Sequence, residues 1–245
     1  MEINTAMILA GGFGTRFKEY TNKIPKPMIK ANGYPLLVHI INFYKGYGVK
    51  RILILGGYKI DVINKYFKSE GTQLSSRNNI FSFNDIEVII LDTGENTMTG
   101  GRVKKGISYL NTNYSYMTYG DGIANVNLNK LKNFHAKFKP IVTLTAVRPP
   151  ARFGSLDIKD EKITSFNEKK QSKEGWINGG FFILNYEVIN YIDNDGQSFE
   201  KEPLTRLAKE KKLNAFKHFG LFRPVDTIRE LEILENELST NEFNF

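Results

Sequence analysis

The run Thr5-Ala6-Met7-Ile8-Leu9-Ala10 leads without a break into Gly11-Gly12-Phe13-Gly14-Thr15-Arg16. A short, nearly unbroken apolar run predicts a strand buried on both faces, as in parallel sheets. In open sheets of that kind ligands gather at the carboxyl ends of the strands, which is where these glycines fall. Without Cβ atoms, their backbone N–H groups can close around an anion. Ten residues on, Lys26 sits between Pro25 and Pro27. Arg16 and Lys26 then supply full positive charge for a bound triphosphate. The same string also reads as a tight strand-to-helix turn with two surface cations, and the turn alone does not separate the two.

Two other phosphate motifs are excluded. No G-x-x-x-x-G-K-[ST] follows Gly11, and a dinucleotide fingerprint from Gly12 would need glycine where the chain has Phe17. The 245 residues, 41% of them hydrophobic, suffice for a sizeable α/β core. A formal charge of +8 suits an acidic ligand, but no Lys/Arg run exceeds three residues, which argues against nucleic acid. Cysteine is absent, so disulfides and thiolate metal sites are excluded. His39, His135 and His218 are scattered and read as surface or packing residues rather than zinc ligands. With no leader pattern and no apolar stretch of membrane-spanning length, the expectation is a soluble cytoplasmic protein without a membrane partner.

The first half alternates strand and helix signals, which predicts parallel βαβ units. Strands are expected at 5–10, 51–55, 87–91, 115–119 and 141–147, and helices at 35–47, 61–67, 102–110 and 128–138. The polar stretch 68–84 reads as a loop or flap. After Arg148-Pro149-Pro150 the β-signal rises, with strands at 155–158, 162–167, 181–184 and 213–218. Helices are expected at 188–192, 203–211 and 227–238. Neither a repeat nor a linker divides the chain. The expectation is one domain over 1–245, whose first half runs to about 147 and whose second, more β-rich half starts at about 148.

Two aspartates are candidate metal ligands. Asp121 follows a strand in Tyr119-Gly120-Asp121-Gly122, and Asp226 precedes the last helix in Pro224-Val225-Asp226-Thr227. Alone, the first is also an ordinary turn aspartate and the second an N-cap.

The pair L-A-G-G-x-G-T-R (Leu9–Arg16) and P-K-P-M (Pro25–Met28), at this spacing, closely resembles the sugar-nucleotide pyrophosphorylases. Further segments are similar to the glucose-1-phosphate cytidylyltransferases among them: Asp92-Thr93-Gly94, Met98-Thr99-Gly100-Gly101-Arg102, Arg152-Phe153-Gly154, Asn178-Gly179-Gly180, Ile192-Asp193-Asn194-Asp195 and Glu202-Pro203-Leu204. The match runs from residue 7 to about 232. Residues 68–84 and Lys170, which stands where the family's E-K-P loop has proline, depart from the pattern.

The resemblance implies a Rossmann-like, three-layer α/β nucleotidyltransferase fold, with a mixed, mostly parallel central sheet and a smaller β-rich sugar-binding portion. It implies transfer from CTP to α-D-glucose 1-phosphate, giving CDP-glucose and pyrophosphate. That chemistry needs no covalent nucleophile; it needs two anions held together and their charge neutralised. The implied nucleotide site is Leu9, Ala10, Gly11, Gly12, Phe13, Gly14, Thr15, Arg16 and Lys26, with Thr97, Thr99, Arg102, Thr118 and Tyr119. The implied Mg²⁺ ligands are Asp121 and Asp226, a donor set that suits this oxygen-seeking ion. The implied sugar-phosphate site is Arg152, Gly154, Glu168, Lys169, Asn178 and Gly179, and the implied assembly is a homo-oligomer. The same chemistry with UTP, dTTP or another phosphorylated acceptor, and a non-catalytic sugar-nucleotide sensor, are the competing readings.

Overall fold

The computed structural model describes residues 1–17, 21–75, 79–149, 155–159, 161–167, 175–240 and 243. In chain order its first strands are β1 (Thr5–Leu9), β2 (Lys30–Ala31), β3 (Tyr34–Pro35), β4 (Arg51–Gly56), β5 (Thr72–Ser75), β6 (Ile80–Phe83), β7 (Ile86–Asp92) and β8 (Tyr114–Tyr119). These are followed by β9 (Gly122–Ala124), β10 (Val142–Val147), β11 (Ser155–Lys159), β12 (Lys162–Asn167), β13 (Ile177–Asn185), β14 (Leu213–His218) and β15 (Phe222–Pro224). The α-helices are α1 (Leu36–Gly46), α2 (Ile60–Glu70), α3 (Thr99–Leu110), α4 (Leu128–Phe138), α5 (Glu202–Lys209) and α6 (Ile228–Ser239).

Nine strands form one sheet in the order β14-β10-β13-β8-β1-β4-β7-β6-β5. β1 lies between β4 and β8, parallel to both, and β4 is parallel to β7. Only β13 and β6 run against the common direction, each antiparallel to its neighbours. The sheet is thus mixed but mostly parallel in direction, as the sequence predicts.

Alternate residues of β1 and β4 feed two cores. Ala6, Ile8, Ile52 and Ile54 pack with α1, α2 and α6, whereas Met7, Leu9, Leu53 and Leu55 pack with α3 and α5. Burial on both faces explains why these strands read as continuous apolar runs. No helix among the described residues is long and apolar enough to cross a membrane.

The structure corrects several expectations. The stretch 68–84 is not a flap: α2 runs on to Glu70, and β5 and β6 extend the sheet beyond β7. Asn84 and Asp85, both with positive φ, make the two-residue turn into β7. Phe81 and Phe83 point inward against Phe67, so the alternation Phe81-Ser82-Phe83 was the overlooked strand signal. Residues Tyr186–Tyr191 form a 3-10 helix rather than an α-helix at 188–192. β13 starts at Ile177 rather than at 181, which places Asn178 and Gly179 within the strand.

His135, on α4, is 1% exposed and its Nδ1 lies 2.8 Å from the Thr143 hydroxyl. Burial pushes its pKa down to about 4. Between that value and the unfolded-state value near 6.5, the unfolded chain binds a proton that the native state refuses. This group's contribution is therefore complete above about pH 6.5 and is lost as the pH falls toward 4. Urea midpoints should show wild type losing stability relative to His135→Gln across that interval, with no such divergence between pH 7 and 8.

Candidate active site

The end of β1 opens into a cavity of about 430 Å³. Leu9, Ala10, Gly11, Gly12, Phe13, Gly14 and Thr15 line it together with Glu95 to Thr99, Arg102, Lys26, Tyr119, Asp121 and Asp226. Gly14 has a φ of +62°, and a Cβ there would stand 2.6 Å from the Thr21 methyl, so only glycine fits this turn. The residues after Pro25 form a 3-10 turn, Lys26–Met28. Pro27 packs on Gly120, where a Cβ would come within 2.8 Å of the proline ring. The Gly120 N–H donates to the Leu9 carbonyl, joining the ends of β8 and β1. The two prolines and Gly120 thereby place Lys26 at the carboxyl ends of the central strands.

Backbone pairing brings in the two aspartates. β9 and β15 pair antiparallel with Gly122 opposite Pro224, and the Val225 N–H donates to the Asp121 carbonyl at 3.0 Å. That register sets Asp121 beside Asp226. Thr227, not Asp226, caps α6, its hydroxyl accepting from the Glu230 N–H. The Glu230 carboxylate accepts in turn from the Asp226 N–H at 2.8 Å, a variant of the capping box.

Lys26 Nζ lies between the carboxylates, 2.8 Å from Asp121 Oδ2 and 2.5 Å from Asp226 Oδ1. The lysine side chain is 8% exposed, against 43% for Asp121 and 20% for Asp226. Burial opposes the ammonium charge, but the two carboxylates outweigh it and hold the lysine pKa above its ordinary value. A pair of carboxylates that already converges on one cation is a hard-oxygen donor set of the kind divalent metals take, the remaining positions filled by water or phosphate. Among the described residues no group of three or more His, Cys, Asp or Glu could hold a metal.

Arg102, expected at the nucleotide, lines the cavity and also braces its glycine turn. It is 3% exposed, and its guanidinium donates to the carbonyls of Gly56 (2.7 Å), Gly11 (2.9 Å) and Glu95 (3.1 Å) and to the Thr93 hydroxyl. It ties the glycine turn to the loops after β4 and β7. A Cβ on Gly11 or Gly57 would stand 2.1 or 2.3 Å from its nitrogen, which explains both glycines. Gly100 and Gly101 admit protein backbone: Cβ atoms there would meet the Gln197 carbonyl at 2.5 Å and Asp195 Cα at 2.6 Å. The Thr97 hydroxyl donates to the Thr93 carbonyl and that of Thr99 to Glu200 Oε2, both at 2.6 Å, although both residues line the cavity.

Thr118 is 1% exposed and lies under the sheet surface rather than on the cavity wall. Tyr119 is on the wall; burial and the neighbouring Glu200 push its hydroxyl well above the usual tyrosine pKa. Asn178 reaches this wall through Tyr119, its Nδ2 donating to the hydroxyl at 3.1 Å. Gly179 leaves room for Val147, whose methyl a Cβ would approach to 2.5 Å. The expected residues Arg152, Gly154, Glu168 and Lys169, and the side chain of Arg16, lie outside the described residues. Glu200, which the motifs did not include, accepts from Tyr119, Thr99 and Ser198. No local signal marks it, because Thr99 and Tyr119, the two partners on the cavity wall, are distant in sequence.

The Arg102 brace predicts a specific weakness. Arg102→Lys keeps the charge but cannot reach several carbonyls at once, and each buried acceptor left unpaired costs about 1–3 kcal/mol. Gly11→Ala, by driving the same guanidinium aside, should lower the thermal midpoint to a similar degree. Calorimetric scans of the two variants and their combination check this, with the double variant less destabilised than the sum.

Comparison with known proteins agrees with this geometry. Residues 5–220 match the family model described as nucleotidyl transferase. The chain is 42% identical to the glucose-1-phosphate cytidylyltransferase of Salmonella typhimurium over 241 residues, covering 94% of each. It is 32% identical to the D-glycero-alpha-D-manno-heptose 1-phosphate guanylyltransferase of Campylobacter jejuni, covering 76% of this chain and 77% of that one. Among solved structures, HddC from Yersinia pseudotuberculosis superposes with a TM-score of 0.71 at 26% identity, covering 96% of this chain and all of the other. The chain belongs to the nucleotidyl transferase family and is similar along nearly its whole length to the glucose-1-phosphate cytidylyltransferases within it.

Proposed function

We propose that this enzyme joins CTP and α-D-glucose 1-phosphate into CDP-glucose and pyrophosphate, with Mg²⁺ as its metal, and that 1–245 works as one catalytic unit. The carrying observation is the meeting of Lys26 with Asp121 and Asp226, 95 and 200 residues away in sequence, in a glycine-lined cavity. The identity to the Salmonella cytidylyltransferase supports the choice of nucleotide and sugar. A sheet that takes strands from both halves of the chain supports a single unit.

In this reading a phosphate oxygen of glucose 1-phosphate attacks the α-phosphorus of CTP, and the bond to the pyrophosphate oxygen breaks. The turn Gly11–Thr15 receives the nucleotide phosphates with its backbone. Lys26 places positive charge beside the transferring group, where charge stabilisation lowers the barrier. Asp121 and Asp226 would hold Mg²⁺, which supplies further charge against the phosphate oxygens when bound.

Pyrophosphate release measured with CTP, UTP, dTTP, ATP and GTP against glucose 1-phosphate and other sugar 1-phosphates tests the assignment. Release confined to CTP with glucose 1-phosphate is expected, and Asp121→Asn should lower it by roughly a hundredfold or more. Faster release with another nucleotide would overturn the cytidine assignment. The metal site has its own test. Lys26→Met leaves the two carboxylates facing each other without their cation, so Mg²⁺ should raise its thermal midpoint by several degrees and that of the wild type less. An equal response in both would remove Asp121 and Asp226 as the metal pair. The family resemblance also implies a homo-oligomer, which light scattering on the eluted protein would count.

A further inference from the structure

Glu200 lies just before α5, outside every motif that marks the family, yet it joins two parts of the site. Its Oε2 accepts from the Thr99 hydroxyl at 2.6 Å, at the first residue of α3. Its Oε1 accepts from the Tyr119 hydroxyl at 2.8 Å, at the end of β8. Having given its only proton to Glu200, the Tyr119 oxygen is left as an acceptor, and Asn178 Nδ2 donates to it at 3.1 Å. The other end of that amide, Oδ1, accepts from the Gly180 N–H at 2.9 Å. Asn178 is thereby held at both ends.

The backbone makes this arrangement possible. β10 and β13 shift register between Leu144 and Ala146, and Gly180 has a φ of +71°. A Cβ on Gly180 would stand 3.1 Å from the Tyr119 ring, so the strand passes close to it. Phe182 meets the ring edge-on at 5.9 Å. Packing thus fixes the Tyr119 ring, and Glu200 fixes the direction of its proton.

We infer that Glu200 is a positioning residue that orients Asn178, by way of the Tyr119 hydroxyl, for the sugar part of the substrate. This rests on the proposed sugar-nucleotide reading for the identity of the ligand and for Asn178 as part of its sugar site. The nucleotide side depends on Glu200 much less. Thr99 also accepts from the Phe199 N–H at 2.9 Å, and the start of α3 is tied to the next turn by Met98 N–H to the Asp195 carbonyl and Gly100 N–H to the Gln197 carbonyl. Asn178 has no comparable second hold on Tyr119. Glu200→Gln keeps the shape but replaces an acceptor by a donor. Three hydroxyls, those of Thr99, Ser198 and Tyr119, then share one acceptor oxygen, and the glutamine N–H facing Tyr119 competes with Asn178 for the same phenolic oxygen.

The test is calorimetric titration with CDP-glucose and with CDP, which differ only by the glucosyl group. The glucosyl increment in affinity should fall about tenfold in Glu200→Gln, the equivalent of one misdirected hydrogen bond, while CDP affinity stays within about threefold. Tyr119→Phe should lose the same glucosyl increment, read as the ratio of the two affinities because Tyr119 also lines the nucleotide cavity; the double variant should lose no more of that ratio than either, and Glu200→Asp should restore part of it. Equal losses for CDP and CDP-glucose, or additive losses in the double variant, would reduce Glu200 to a structural residue and overturn the inference. A wild type without any glucosyl increment would overturn the functional reading and this inference with it; an intact increment in Glu200→Gln overturns the inference alone.

Discussion

One ammonium group shared by two carboxylates governs the layout of this site. Lys26 is nearly buried, and an isolated charge there would be costly. Asp121 and Asp226 make that position tenable, and each comes from a separate part of the chain. The 3-10 turn after Pro25, the end of β8 and the strand before α6 all terminate at the same point. A cluster of that kind does more than stabilise. It holds carboxylates and a cation in place before any phosphate arrives, which is the preorganisation that phosphoryl chemistry requires.

Around it the glycines serve two different ends. Gly14 provides a backbone conformation that other residues rarely adopt, within the turn itself. Gly11, Gly57, Gly100 and Gly101 instead remove side chains where other parts of the protein approach, the Arg102 guanidinium in the first pair and the 195–197 backbone in the second. A buried arginine with several carbonyl acceptors is a rigid brace, since its planar fork needs little further ordering. The glycine turn therefore owes its shape to α3 as much as to its own sequence.

The central strands and their helices were legible from residue pattern because burial on both faces leaves a long apolar signature in Thr5–Ala10 and Arg51–Leu55. The edge of the sheet was not. β5 is largely exposed and polar, and β6 shows only a brief alternation at Phe81-Ser82-Phe83, so pairing with β7 decided its structure. Asp121 and Lys26 were recognisable from their neighbours, as was Asp226, although the helix cap it was a candidate for belongs to Thr227. Arg102 was recognised as part of a motif, but the carbonyls of Gly56 and Gly11 that its guanidinium binds were not legible, because they lie on distant loops.

By itself the sequence determined the αβ alternation, the glycine turn, the cations and carboxylates of the site, and the family to which the chain belongs. Those properties are local: they depend on side-chain type, on periodicity, and on spacing within a few tens of residues. Tertiary structure alone decided which groups face one another. Asp121 meets Asp226 because β9 pairs with β15, Tyr119 meets Asn178 because β13 passes close to its ring, and it meets Glu200 because the turn before α5 is bonded to the start of α3. Such contacts join residues tens to hundreds of positions apart, and no pattern along the chain encodes a distance in space.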